Sequence, residues 1–289
     1  MVRRYMAGNG RREKFRPERS PGRVYGVDFS GAADAGRRIW IAGGETQRGA
    51  LHIDRCHPAK DLPGSGKDRD RSLAALRDFL RAKRDCAFGF DFPFGLPEKL
   101  VNEKSWEDFV RAFPGRYADP QRFREACRVA ARGFELKRLT DRESRTPFSP
   151  YNLRLYRQTF FGIRDLLAPL VANRWACVLP MQPALPRKPW VLEICPASLL
   201  KQENLYSLSY KGRTPENRAA RARILSVFAE KHGLALPGPG VRGAVLADAN
   251  GDALDSVLAA LATYRALRHP DRFSPKGNEA YALEGCVYV

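Results

Sequence analysis

Apolar residues run along this chain in two rhythms, and the rhythms predict most of its elements. Val24-Tyr25-Gly26-Val27-Asp28-Phe29, Ile39-Trp40-Ile41-Ala42-Gly43 and Leu51-His52-Ile53-Asp54 are short and rich in β-branched and aromatic residues. Glycine-containing turns separate them, which predicts three antiparallel strands. From Ser72 to Ala82 the spacing becomes helical, with Leu73, Leu76, Phe79 and Leu80 on one face. Cys86-Ala87-Phe88-Gly89-Phe90-Asp91 is nearly all apolar, as in a strand buried on both faces of a parallel sheet, and Pro93 and Pro97 close it. Residues 98–189 read as mainly helical through Trp106–Phe113, Arg122–Ala131 and Leu153–Val171, with a basic linker around Arg138–Arg145. A fifth strand, Trp190 to Cys195, ends at Pro196; helices at about 216–232 and 252–268 follow, and Val287-Tyr288-Val289 can add an edge strand.

The predicted order is thus β-β-β-α-β-(helical insertion)-β-α-α. Three hairpin-connected strands followed by αβ units give an α/β protein with a mixed five-stranded sheet, antiparallel then parallel, and helices on both faces. That order is the one used by the ribonuclease-H-like fold. The expected organisation is a disordered basic arm over residues 1–22 and one ribonuclease-H-like domain over 23–289, with the helical insertion at about 98–189.

Charge changes the picture more than composition does. The 289 residues hold 50 Lys and Arg against 32 Asp and Glu, a net charge of +18 and a pI of about 10.0. Such a field attracts polyanions, nucleic acid (DNA or RNA) first among them, although a basic proteome or a solubility adaptation gives the same number. Mean hydropathy of −0.44 and apolar runs no longer than Val257 to Ala262 argue against a membrane span. Six cysteines stand singly, which does not read as a disulfide framework or a structural zinc site. His52, Cys56 and His57 could touch a metal, but nothing in the sequence completes the set. Arg3, Arg4, Arg11, Arg12, Lys14, Arg16 and Arg19 precede no apolar segment, so no secretory signal is read and a reduced, cytoplasmic protein is expected.

Carboxylates carry the candidate chemistry. Asp28 and Asp91 each end an apolar strand before small residues or prolines, well placed to face a crevice at the sheet's carboxyl edge. On neighbouring strands, about 4.8 Å apart, they could share one hard cation; alternatively each caps its own turn. Glu193 interrupts Val191-Leu192-Glu193-Ile194, so it faces a cation or an arginine, or its strand has one solvated face. Asp248, Asp252 and Asp255 gather where a helix begins. Acids there favour the helix dipole, yet three of them repel one another unless a cation intervenes. Carboxylates from two strand ends and a late helix are what a two-metal phosphodiester hydrolase requires, and oxygen ligands select Mg2+ or Mn2+. Lys211, Arg213 and Arg218, just before a helix, suit phosphate contact, or form a solvated loop. Arg142, Arg145, Arg154 and Arg157 interleave with Phe148, Tyr151 and Tyr156, a mixture that suits single strands or simply a helix surface.

The chain resembles the family called domain of unknown function 429, predicted nucleases of the ribonuclease-H-like superfamily. The matching pieces are Val27-Asp28-Phe29-Ser30-Gly31, Phe90-Asp91-Phe92-Pro93-Phe94-Gly95-Leu96-Pro97, Leu192-Glu193-Ile194-Cys195-Pro196, Asp252-Ala253-Leu254-Asp255-Ser256 and Glu284-Gly285. The resemblance implies Asp28, Asp91, Glu193, Asp252 and Asp255 as catalytic acids, with Asp28, Asp91, Asp252 and Asp255 on the metal. The expectation is a metal-dependent nuclease. Its rivals are a nucleic-acid-binding protein of the same fold without catalysis, and an actin-like nucleotide phosphotransferase, whose strand–Asp–Gly–Ser/Thr start Asp28-Phe29-Ser30-Gly31 faintly resembles.

Overall fold

A computed structural model describes residues 20–275 and 278–289; the expected basic arm therefore lies, up to residue 19, outside the described residues. In chain order the first half runs β1 (Arg23–Asp28), α1 (Ala35–Arg38), β2 (Trp40–Gln47), β3 (Ala50–Pro58), α2 (Arg69–Arg81), β4 (Cys86–Phe90), α3 (Trp106–Arg116) and α4 (Pro120–Ala130). Next come α5 (Leu139–Glu143), α6 (Tyr156–Phe161), α7 (Ala168–Ala172), β5 (Cys177–Leu179) and β6 (Trp190–Ile194). The chain closes with α8 (Pro196–Gln202), α9 (Pro215–His232), β7 (Leu234–Ala235), α10 (Pro239–Ala247), α11 (Asp252–Leu267), α12 (Glu279–Glu284) and β8 (Val287–Tyr288).

The strands form one mixed, mostly parallel sheet in the order β5-β6-β4-β1-β2-β3-β7, with β8 pairing with β6. As the sequence pattern requires, β1 lies between β2 (antiparallel) and β4 (parallel), and β6 lies beyond β4. The five expected strands become eight. Cys177–Leu179 pairs in parallel with β6, inside the stretch expected to be helical, and its three residues are too few to show a period. The expected helix Leu153–Val171 is broken into α6, a π-helical turn over Gly162–Leu167, and α7.

Period-two alternation then decides what each strand presents to either side. Tyr25, Val27, Phe88, Phe90 and Val191 enter one apolar cluster, together with Leu76 of α2, Phe109 and Phe113 of α3 and Phe160 of α6. Val24, Ala87 and Leu192 enter a second, with Leu199 of α8, Leu225 of α9 and Leu258 of α11. On that second face Gly26 and Gly89 are register partners. A Cβ at Gly26 would fall on the α11 backbone at Ser256 and Ala260, and one at Gly89 would fall on Thr263 Oγ1. The two glycines form a slot into which α11 settles directly against the sheet, its first turn at the carboxyl ends of β1 and β4.

Among the described residues, no helix is long and apolar enough to cross a membrane. All six cysteines are free thiols.

Candidate active site

Asp28 and Asp91 lie on the α11 side of the sheet by the same alternation that buries Val24 and Ala87 there. The Asp91 N–H donates to the Val27 carbonyl at 3.1 Å, extending the parallel pairing to the strand ends. The α11 helix begins at Gly251, whose φ of +82° suits glycine. Asp248 caps this start, its carboxylate accepting from Ala253 N at 2.9 Å and Asn250 N at 3.2 Å. One of the three acids is thus a helix cap, and Asp252 and Asp255 remain. Asp28, Asp91, Asp252, Asp255, Glu193 and Lys211 all line one cavity of about 350 Å3.

Desolvation, reinforced by mutual repulsion, sets the electrostatics. Withdrawal from solvent, with Asp255, Asp252 and Asp91 nearby, holds the Asp28 carboxyl well above the usual carboxylate range. Asp91 is pushed up to about 8 by desolvation and Asp255. Asp252 is pushed up to about 6 by desolvation and Asp248. Asp255 is buried and partnered: Tyr210 Oη donates to its Oδ1 at 2.8 Å, and Lys211 Nζ lies 2.8 Å from its Oδ2. Burial disfavours the Lys211 ammonium, but Asp255 and Asp28 more than compensate and raise its pKa.

Glu193 belongs to a different arrangement. Its neighbours Leu192 and Ile194 enter the α11-side core, so alternation turns Glu193 to the opposite face. There Arg138, 1% exposed, meets it: Nη1 donates to Oε2 at 2.8 Å and Nη2 to Oε1, while Phe94 N donates to Oε2 at 2.9 Å. Asp141 grips the same guanidinium, accepting from Nη2 at 2.8 Å and Nε at 3.0 Å. Of the readings open for Glu193, the arginine is the one realised. The expected basic linker at Arg138–Arg145 is instead a folded segment around this buried ion triad.

Sequence reasoning missed Arg138, Asp141, Tyr210, Gln158 and Arg221. Gln158 Nε2 donates to the carbonyls of Phe29 and Asp91, tying the two acid-bearing strand ends together. Arg221 is 3% exposed and donates to Tyr210 O, Gly212 O and Leu246 O, which cinches the Lys211 loop. A signal for Arg221 existed, since it shares the apolar stripe of α9 with Ile224, Leu225 and Phe228. Arg213 and Arg218 are exposed and do not line the cavity.

The donor set fits a hard divalent cation in kind: oxygen ligands, with negative charge exceeding that of the Lys211 ammonium in contact. As the side chains stand, no group of three or more His, Cys, Asp and Glu among the described residues is arranged to hold a metal, the His52, Cys56 and His57 set included.

The sequence model of the family described as "Protein of unknown function (DUF429)" matches residues 26–279. Comparison with curated proteins and with solved structures gives no match. The matched span reaches from Gly26 in β1 to Glu279 at the start of α12 and contains every acid of the cavity, and the chain belongs to the DUF429 family.

Proposed function

We propose that this protein is a divalent-metal-dependent nuclease of ribonuclease-H-like fold that hydrolyses phosphodiester bonds of DNA or RNA. One observation carries the reading. Four aspartates from two adjacent strand ends and one helix start share a cavity in which they repel one another, and among the described residues only Lys211 is in ionic contact with them. An acidic centre of that kind inside a chain of charge +18 suits a cation below and a polyanion above. The strand order, three antiparallel strands followed by parallel ones, supports the fold assignment.

Asp28, Asp91, Asp252 and Asp255 would hold Mg2+ or Mn2+. Such an ion polarises a phosphoryl oxygen and lowers the pKa of a water. The protein's own residues do the rest. Tyr210 orients Asp255 through its hydroxyl, Gln158 fixes the spacing of the strand ends, and Lys211 offers a cation to the substrate phosphate. Glu193, saturated by Arg138 and Phe94 N, builds the wall of the cavity. Arg213 and Arg218 extend the basic surface beyond Lys211.

A second reading, nucleic-acid binding without catalysis, is favoured by the lack of a ready three-ligand group among the described residues and by the Lys211–Asp255 pair. Asp28→Asn separates the two. The variant should fold and bind nucleic acid at least as well as the wild type, and Mg2+- or Mn2+-dependent cleavage should fall at least about a hundredfold, or ~2.7 kcal/mol of transition-state stabilisation. Wild-type protein that binds but cuts neither DNA nor RNA with either metal makes binding its function. ATP turnover abolished by Asp28→Asn would make it a phosphotransferase instead.

A further inference from the structure

The cavity is also lined by Phe148 and Arg154, from the segment between α5 and α6. Of the three aromatic residues interleaved with arginines here, Tyr151 is fully buried with its hydroxyl bonded to Phe134 O and Leu136 N, and Tyr156 is buried. Only Phe148 reaches the cavity. Its ring lies 5.5 Å from the guanidinium of Arg154, which is exposed and also lines the cavity. An aromatic ring beside a guanidinium plane recognises a flat π-system by its face. A base in a duplex offers only its edges, because stacking covers both faces; an unpaired base offers a face. The cavity of about 350 Å3 is of small-ligand size and encloses far less than a double helix.

Resting on the nuclease-site reading above, we propose that the substrate is single-stranded nucleic acid, one unpaired base lying against Phe148 and Arg154 while its phosphate faces Lys211 and the aspartates. The base anchors the strand from the aromatic wall, and the charged side receives the backbone. Selectivity for strandedness then resides in Phe148, away from the acids.

Binding of a fluorescein-labelled single-stranded oligonucleotide and of its blunt duplex, followed by anisotropy in EDTA, tests this without any turnover. The wild type should bind the single strand about tenfold tighter at equal salt, and Phe148→Leu should remove about that factor, since stacking on one base is worth ~1–3 kcal/mol. Duplex affinity should not move. Phe148→Tyr, which keeps the ring, should stay within about twofold of the wild type, and that guards against a loss caused by misfolding. Equal affinity for both forms, or equal losses in Leu and Tyr variants, overturns the proposal. Cleavage with Mn2+ keeps the two readings apart. If single strands bind preferentially and nothing is cut, strand recognition stands and the nuclease fails. If duplex is cut and Phe148→Leu changes nothing, the nuclease stands and strand recognition fails.

Discussion

Two groups of acids border the same cavity and have been resolved in opposite ways. On the helical-segment side, Glu193 and Asp141 close around Arg138, and every oxygen of Glu193 has a donor. On the α11 side, among the described residues, Asp28, Asp91, Asp252 and Asp255 have a single ammonium in contact, Lys211 on Asp255, and neighbouring acids help push three of their carboxyl pKa values upward. Desolvation raises carboxyl pKa values in both, at Glu193 as at Asp28, Asp91 and Asp252, so desolvation does not separate the two groups. Compensation does: a saturated group has no capacity left for a ligand, whereas a group left in mutual repulsion gains by binding a cation.

The largest test of that contrast is Arg138→Met. Removing one member of a buried ion group leaves uncompensated charge and typically costs about 3–5 kcal/mol. A fall in Tm on the order of 10 °C is expected for a chain of this size. A loss no greater than that of a surface substitution would erase the distinction.

Next is the loop that carries Lys211. Arg221→Met strips donors from three part-buried carbonyls and should cost about 2 kcal/mol. Amide exchange at Tyr210–Arg213 should accelerate while exchange in β1 and β4 stays slow. Uniform acceleration would make Arg221 a general stabiliser.

The third test has the sharpest sign. A carboxyl whose folded pKa lies above its unfolded value contributes stability below the unfolded pKa and loses it as pH rises through the folded one. For Asp91, raised from 3.8 to about 8, the loss spans pH 4 to about 8. Asp91→Asn should therefore raise Tm at pH 8, by roughly 2–4 °C per kcal/mol, and leave it unchanged at pH 4. Burial raises the Glu193 pKa as well, but Glu193 holds the buried Arg138 guanidinium, and breaking that pair outweighs the relief, so Glu193→Gln should lower Tm at pH 8. Equal signs at the two positions would show that the groups are alike.

Much of this was legible in the sequence because it depends on local periodicity. The strands around Asp28 and Asp91, their adjacency and the helix start at Asp252 follow from alternation and chain order. The same alternation also held the answer for Glu193: Trp190, Leu192 and Ile194 claim one face and leave Glu193 on the other. What it could not name was the partner, since Arg138 lies 55 residues away in a stretch without regular spacing. The Lys211 loop was found by its charge. Its bonds to Asp255 and Arg221 depend on tertiary packing, which no short window records.

The glycine slot beneath α11 acts as a calliper. Two absent methyl groups, at Gly26 and Gly89, set how closely the helix rides on the sheet, and thereby how far Asp252 and Asp255 stand from Asp28 and Asp91. Added bulk in the slot would work as a shim, tilting a rigid rod whose tip carries half of the acidic centre. The spacing of these charges is thus written in residues that bear none, two to three turns down the helix.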